Sequence, residues 1–210
     1  MLDKVVVLLA ALEEGPATLV GLMDATDLPR ATAHRLAVAL ESHGLVRRDG
    51  AGRFTLGLRL VALGRAAAGE LPVARAAHPA LEALRDETGE STQLYVRDGD
   101  RRVCMVSLES PHGLRTIVPV GASLPLDVGS AGRVLTDAAA ATGRRGWAES
   151  VGEREAGVAS VSAPVWDAGG TVLAAIGVSG PIERTTRNPG RRYGKAVVRA
   201  ALAVKAALGS

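Results

Sequence analysis

The stretch 25–55, ATDLPRATAHRLAVALESHGLVRRDGAGRFT, constrains the fold of this chain more than any other. Its apolar residues recur at the i, i+3, i+4 and i+7 spacing that places them on one face of a helix: Ala33, Leu36, Ala37 and Leu40. Pro29 suits the first helical turn, because its missing N–H would have no intrahelical partner there. Gly44 suits the position just beyond the last turn. The sequence therefore predicts a helix over 29–42 with a polar outer face.

A short basic hairpin is predicted directly after this helix. The segments 45–48 and 53–56 flank the glycine- and aspartate-rich turn 49–52, which is a hairpin signal. A polar-faced helix followed by a hairpin with arginines at both shoulders is typical of a winged helix-turn-helix, in which the helix enters the major groove and the hairpin cations meet phosphates. The candidate DNA contacts are Arg30, Thr32, His34, Arg35, Arg47, Arg48 and Arg53.

The distribution of charge supports this prediction locally. The net charge of the whole chain is only +3, which does not by itself indicate nucleic-acid binding. Residues 28–65 carry seven arginines against two carboxylates, a net charge of +5, whereas residues 3–27 carry one lysine against five carboxylates, a net charge of −4. This change of sign gives the N-terminal part a cationic side. The alternative is that these arginines only solvate a surface.

Composition limits the classes of function. Apolar residues make up 47% of the 210 residues but aromatic residues only 2%, so the cores are aliphatic and recognition of single-stranded nucleic acid by ring stacking is disfavoured. The one cysteine, Cys104, allows no intrachain disulfide and favours a cytoplasmic location. We expect it to be a core thiol rather than a redox group. Glu13 and Glu14 interrupt the N-terminal apolar run, so we expect neither a signal peptide nor a membrane span.

Motifs for catalysis or metal binding are not found in the sequence. The four histidines lie scattered, without metal-ligand spacing. The chain contains no P-loop, dinucleotide-binding fingerprint or nucleophile elbow. We therefore expect no metal, no cofactor and no enzymatic activity.

The patterns predict an α+β chain of two domains joined by a helix. We assign a winged helix-turn-helix to residues 1–57, a linker helix to 58–71 and an effector-binding domain to 72–210. The linker is apolar enough, at Leu58, Leu60, Val61 and Ala62, to suggest a symmetric oligomer. The second domain is predicted to be an antiparallel sheet covered on one side, with helices at 73–87 and 189–208 and strands at 92–96, 102–108, 116–119, 158–166 and 171–177.

The motifs of the chain, in their order, resemble those of the IclR family of bacterial transcriptional regulators. They are LPRATAHRLAVALESHGLVRR with GRFTLGLRL, HPALEALRDETGES, PVGASLPL, SAGRVL, GWAESVGEREAGVASVSAPV and AAIGVSGP. The resemblance covers nearly the whole chain. It implies a winged helix-turn-helix, an effector-binding domain of GAF-like fold, an operator in double-stranded DNA, and a homodimer or dimer of dimers (homotetramer).

Two features refine the resemblance. The pairing of ATAHRLAVALE with GWAESVGEREAGVASVSAPV resembles the actinobacterial regulators of leucine and other amino-acid biosynthesis. The chain departs from the family in the short stretch 136–144 between the SAGRVL and RGW motifs. Either a lobe over the pocket is deleted, or a segment is absent from the sequence.

The resemblance also implies effector contacts at positions with small or hydroxyl-bearing side chains: Ser130, Ala131, Ser150, Ser160, Gly177 and Ser179. Residues 130–132 precede a predicted helix, where backbone N–H groups and the helix dipole favour an anionic group. We expect a compact amino or organic acid, with its carboxylate at these amides and hydroxyl partners at Ser160 and Ser179. The alternative is that these are turn and strand residues without a ligand.

Two functions compete at this point. One is a ligand-responsive DNA-binding regulator, of amino-acid biosynthesis or of a catabolic operon that responds to an organic acid. The other is a GAF-like small-molecule sensor or enzyme with an incidental helical N-terminal domain. The change of charge within the first 65 residues and the lack of a catalytic constellation favour the regulator.

Overall fold

The structure is a computed structural model that describes residues 1–69 and 71–209, and the chain divides into two units between residues 70 and 71. Glu70, in the predicted linker helix, and Ser210, in the predicted effector domain, lie outside the described residues. Within the described part of the chain, no helix combines the length and the hydrophobicity that a membrane span requires. The first unit contains α1 (Leu2–Glu13), α2 (Leu19–Thr26), α3 (Arg30–Ser42), β1 (Val46–Arg48), β2 (Phe54–Leu56) and α4 (Arg59–Gly69).

The bounds of α3 follow from its two ends. Pro29 has extended dihedral angles (φ −56°, ψ 143°) and precedes the helix, so the prediction that it lies in the first turn is wrong by one residue. Its carbonyl accepts the amides of Thr32 and Ala33, which starts the helix at Arg30. At the other end Gly44 adopts the predicted left-handed conformation (φ +71°). Its amide bonds to the Glu41 carbonyl and the next amide to the Leu40 carbonyl, which is the Schellman arrangement.

The core of the first unit joins the helices to the hairpin. The four predicted apolar residues of α3 are all buried, together with Leu8, Leu22 and Phe54. Phe54 exchanges two backbone hydrogen bonds with Ala17, at 2.8 and 2.9 Å, so the segment before α2 adds a third strand position to the hairpin. These bonds hold the hairpin against the segment that precedes α2.

The second unit is built on one antiparallel sheet. Its strand order is β5-β4-β3-β8-β7-β6. The elements are α5 (Pro72–Thr88), β3 (Ser91–Asp98), β4 (Arg101–Leu108), β5 (Ser123–Pro125), α6 (Gly129–Thr136), α7 (Ala138–Thr142), β6 (Ala148–Val151), β7 (Val158–Trp166), β8 (Val172–Pro181), α8 (Ile182–Thr185) and α9 (Pro189–Leu208).

Helices cover both faces of this sheet, not one as predicted. Successive strand side chains point to opposite faces. Leu94 therefore packs under α5 and α9, whereas its neighbour Tyr95 packs in a second core with α6 and α7. The α+β class and the N-terminal helix-turn-helix agree with the prediction. The helices on the second face of the sheet were not predicted as a cover, because α6 and α7 are short and the sequence pattern did not assign them to a face.

The predicted strand 116–119 is absent from the described sheet. Thr116 and Val118 are buried whereas Ile117 and Pro119 are exposed, so the alternation itself is present. The backbone of Cys104 in β4 bonds instead to Gly121 and Ala122, and the short β5 pairs beyond them. Neither β5 nor β6 was predicted, because three- and four-residue strands carry too few side chains for a periodic signal.

Candidate functional site

The outer face of α3 carries most of the predicted DNA contacts. Arg30, His34 and Arg35 are exposed, whereas Thr32 is half-buried at the edge of the helix. Asp27 ends α2 in a left-handed conformation (φ 53°), and the turn 27–29 redirects the chain into α3. The exposed side chains therefore stand on the second helix of a helix-turn-helix, where base edges are read in DNA complexes.

The three arginines of the hairpin differ in their contacts. Arg48 lies 4.2 Å from the centre of the Phe54 ring, and its Nε atom lies 3.3 Å from Glu41 Oε1. Arg53 Nη2 lies 2.8 Å from Asp49 Oδ2 within the turn. Arg47 is exposed and has no carboxylate partner among the described residues. It is thus the hairpin cation most available to a phosphate.

Asp49 holds the turn of the hairpin together. Its carboxylate accepts the backbone amides of Ala51 and Arg53, both at 2.9 Å, as well as the Arg53 guanidinium. The hydrogen bond from the Arg53 amide is the main cause that lowers the pKa of Asp49. Arg53 therefore supports the shape of the hairpin through Asp49, in addition to any contact with DNA.

In the second unit, all six predicted effector residues line one cavity of about 30 Å³ on the α6 side of the sheet. Strand register brings three of them, Ser150, Ser160 and Ser179, into one row with Ser91. Ser150 pairs with Ser160, Ser160 with Ser179, and Ser179 with Ser91, so four serines form one row across β6, β7, β8 and β3. Sequence positions 91, 150, 160 and 179 show no such proximity by themselves.

Ser130 connects the helix to this row of serines. Its hydroxyl lies 2.8 Å from the hydroxyls of both Ser160 and Ser162. On the neighbouring strand Ser179 donates to Gln93 Oε1 at 3.0 Å. Between them Gly177 leaves room for this network, since an added Cβ would overlap the Val161 carbonyl and the Ser162 hydroxyl. The floor of the cavity is therefore polar and closely packed.

The lining of the cavity is cationic. Arg102 is only 3% exposed, and its guanidinium donates to the carbonyls of Pro125 and Val128. Burial lowers the pKa of Arg102. Arg154 enters from the β6–β7 loop, and its closest carboxylate partner is Glu155 at 3.5 Å. None of the lining residues is an aspartate or a glutamate.

Two donors of the lining are left without an acceptor. Gln93 Nε2 and Arg102 Nε are buried and have no hydrogen-bond partner among the described residues. A buried donor without a partner costs roughly 1–3 kcal/mol. A ligand with acceptor oxygens recovers part of that cost.

The start of α6 already holds a carboxylate of the chain itself. Glu153 accepts the Gly129 amide at 3.0 Å and pairs with Arg133 one turn further along α6. The prediction put a ligand carboxylate at the next amides, 130–132. The first amide of this helix end is thus taken by Glu153, which restricts the space for a second anion there.

Sequence reasoning missed about half of this cavity. Alternation from Ser160 would have found Ser162 on the same face, but the buried Arg102 in a run of two arginines gave no signal. Cys104 is fully buried in the neighbouring core, and burial raises its pKa to about 12, which suits a core thiol. The lining residues that were not predicted are Gln93, Tyr95, Arg102, Gly129, Arg154, Val158, Ser162 and Val178.

Comparison with known families gives the same two-part organisation. The IclR helix-turn-helix domain matches residues 1–50. The domain described as Bacterial transcriptional regulator IclR C-terminal matches residues 65–142 and 135–206. These two segments overlap at residues 135–142, close to the stretch 136–144 at which a departure from the family is expected. In the structure α7 and a 3₁₀ turn at Gly143–Arg145 lead from there directly to β6.

Individual relatives are transcriptional regulators. The chain is 31% identical over 118 residues to the HTH-type transcriptional regulator KipR of Bacillus subtilis. This match covers 56% of this chain and 47% of that protein. It is 26% identical over 230 residues to the transcriptional repressor IclR of Escherichia coli, covering 93% of this chain and 84% of that protein. A solved IclR homolog of Microbacterium hydrocarbonoxydans, complexed with 4-hydroxybenzoate, superposes with a TM-score of 0.84 at 21% identity, covering 99% and 98% of the two chains.

Proposed function

The chain belongs to the IclR family of bacterial transcriptional regulators, which are not enzymes, and from this premise we propose two binding functions. Helix α3 reads an operator, and the cavity of the second unit binds a small organic acid. The observation that carries the DNA-binding part is the outward-facing row of Arg30, His34 and Arg35 on α3. Such a regulator works in the cytoplasm, in contact with the chromosome.

The two kinds of DNA contact predict different effects of substitution. Arg35→Ala is expected to weaken operator binding by roughly 1–3 kcal/mol if the guanidinium pairs bidentately with a guanine. Arg47→Ala is expected to weaken binding to operator and scrambled duplex alike and to reduce the salt slope by about 0.9. The measurement is fluorescence anisotropy of the full chain on DNA from its own upstream region at several salt concentrations.

Arg75→Gln is the control for this experiment, because it removes one exposed arginine of α5, outside the first unit. If both variants bound operator and scrambled DNA as the unaltered chain does, the proposed docking of α3 and the hairpin would be wrong. An effect of Arg35→Ala confined to the operator separates base reading from general charge.

The charges of the cavity favour an organic acid over an amino acid. The lining holds two guanidinium groups, Arg102 and Arg154, and no carboxylate. An ammonium group would find no carboxylate among the lining residues and would be repelled by both cations, whereas a carboxylate finds charged donors. The expectation of an amino-acid effector such as leucine remains a hypothesis. Neither KipR nor the repressor IclR adds support for leucine biosynthesis as the regulated pathway.

The size of the cavity favours a compact ligand. A cavity of about 30 Å³ holds one or two waters, so a larger ligand enters only if lining side chains move. Arg154 is the side chain best placed to do so, because it stands on the loop between β6 and β7 rather than on a strand or helix of the lining. The effector changes DNA affinity only through its different affinities for two conformations of the protein.

Calorimetry of the full chain tests the ligand class. The probes are acetate, lactate, succinate and leucine. We expect at least one of the acids to bind more tightly than leucine, and Arg154→Gln to weaken that binding by about tenfold or more, since a charge-assisted hydrogen bond contributes roughly 1.5–3 kcal/mol. Ser130→Trp fills the cavity and is expected to abolish binding. Leucine binding that exceeds acid binding, or an Arg154→Gln chain that binds like its Arg75→Gln control, would contradict the organic-acid proposal.

We also propose that the protein is a homodimer or a dimer of dimers. One recognition helix reads too few base pairs to select a site, whereas a symmetric pair reads two half-sites. Exposed apolar residues of the first unit, among them Leu2, Val6, Leu58 and Val61, support this proposal.

A further inference from the structure

The end of the chain carries a second concentration of positive charge. Between residues 184 and 205 the sequence contains seven basic residues and no acidic one. The basic side chains of α9 lie on its outer face, opposite the buried positions Tyr193, Val197 and Val204. Arg191, Lys195 and Arg199 follow one another at intervals of four residues, which gives a row of cations about 6 Å apart along the helix axis.

Few of these cations are neutralised within the protein. Arg184 forms a bidentate ion pair with the buried Glu90, at 2.7 and 2.8 Å, and Arg199 pairs with Glu87 at 2.6 Å. In the described part of the chain, Arg187, Arg191 and Lys195 have no carboxylate within ion-pair distance. Among the described residues, Arg192 donates to the Arg184 carbonyl and lies over the Tyr193 ring.

The turn before β6 adds positive charge beside α9. Gly146 packs beside Val198, where an added Cβ would lie 3.3 Å from the valine side chain. Trp147 packs against the glycines of α9. Arg144, which precedes them, is exposed and has no carboxylate partner among the described residues, whereas Arg145 lies 3.5 Å from Glu149. We call Arg144, Arg187, Arg191, Arg192 and Lys195 the α9 basic surface.

We propose that the α9 basic surface binds the phosphate backbone of double-stranded DNA as a second contact that is independent of base sequence. The proposal rests on the proposed function for the identity of the partner. Phosphates need only cations, and guanidinium groups match them in geometry. A protein partner would need apolar or aromatic anchors. Among the described residues between 143 and 208, two large apolar side chains are exposed, Leu173 in β8 and Leu202 of α9, so the cations of this surface outnumber such anchors.

The salt dependence of DNA binding tests the proposal with the full chain. Each phosphate contact contributes about 0.9 to the slope of log K against log salt concentration. Arg191→Gln and Lys195→Gln are each expected to lower that slope by about 0.9, equally on operator and scrambled duplexes. When salt rises from 50 to 200 mM, the factor by which affinity falls should therefore be about threefold smaller for each variant than for the unaltered chain.

Arg75→Gln is the matched control, because it removes one exposed charge from α5 in the same unit and should leave the slope unchanged. A second background carries Arg30→Ala, Arg35→Ala and Arg47→Ala. We expect this triple variant to keep weak, salt-dependent binding to scrambled DNA. Adding Arg191→Gln and Lys195→Gln to the triple variant should remove that binding.

The proposal is overturned if the α9 variants keep the slope of the unaltered chain or match Arg75→Gln. In that case the surface serves an acidic protein or only solvates the helix. Failure of the proposed function gives a different result, because operator and scrambled DNA would then bind alike and Arg35→Ala would have no effect, while the slopes of the α9 variants would still be measurable.

Discussion

At the scale of single residues, two glycines of α9 determine how the last helix meets β6. An added Cβ at Gly194 would overlap the indole of Trp147, and one at Gly190 would overlap both Trp147 and the Glu149 carboxylate. The Gly190 amide donates to Glu149 Oε2 at 2.8 Å, which places a negative charge at the N-terminal end of the helix. Small residues are thus required here by close approach, although glycine lowers helix propensity.

Gly194→Ala is expected to lower the free energy of unfolding of the second unit by about 1–2 kcal/mol, because overpacking against Trp147 exceeds the gain in helix propensity. Urea unfolding followed by tryptophan fluorescence measures this, since Trp147 and Trp166 both lie in that unit. The control is Gly113→Ala in the loop after β4, where an added Cβ meets nothing within 4 Å. It should leave the fluorescence midpoint unchanged. An unchanged or higher midpoint for Gly194→Ala would refute the close packing.

At the scale of elements, α3 and α4 differ in how they are stabilised. α3 buries four side chains in the core of its unit. None of the described side chains of α4 is buried, and Val61 and Leu63 are about half exposed. Helices of this length are marginal in water without tertiary packing. We therefore infer that a second copy of the chain covers the apolar side of α4.

Light scattering at micromolar concentration is expected to give the mass of at least two chains. Val61→Glu should raise the dissociation constant by about tenfold or more, because it puts an unpaired carboxylate into the contact. Leu114→Glu makes the same kind of change at an exposed loop position and serves as the control. A monomer mass for the unaltered chain would exclude the proposed dimer.

At the scale of the whole molecule, the sequence by itself determined the features that depend on neighbours a few residues apart. The apolar spacing of α3, the left-handed Gly44 and the turn at Asp49 fix the helix and the hairpin through local sterics and hydrogen bonds. The motifs in their order were enough to identify the family. These signals survive in any context, because their physical causes act within one or two turns of the chain.

Only the tertiary structure decided what the effector cavity is made of. Gln93 and Ser179 are hydrogen-bonded across 86 residues of chain, and Ser150 and Ser160 meet them through strand register. A slip of one residue in any of these strands would turn its polar side chain to the opposite face. The inward turn of Arg102 likewise depends on β5 and α6 packing over β4. Register and packing are set by the burial of two aliphatic cores at once, which no local pattern in the sequence encodes.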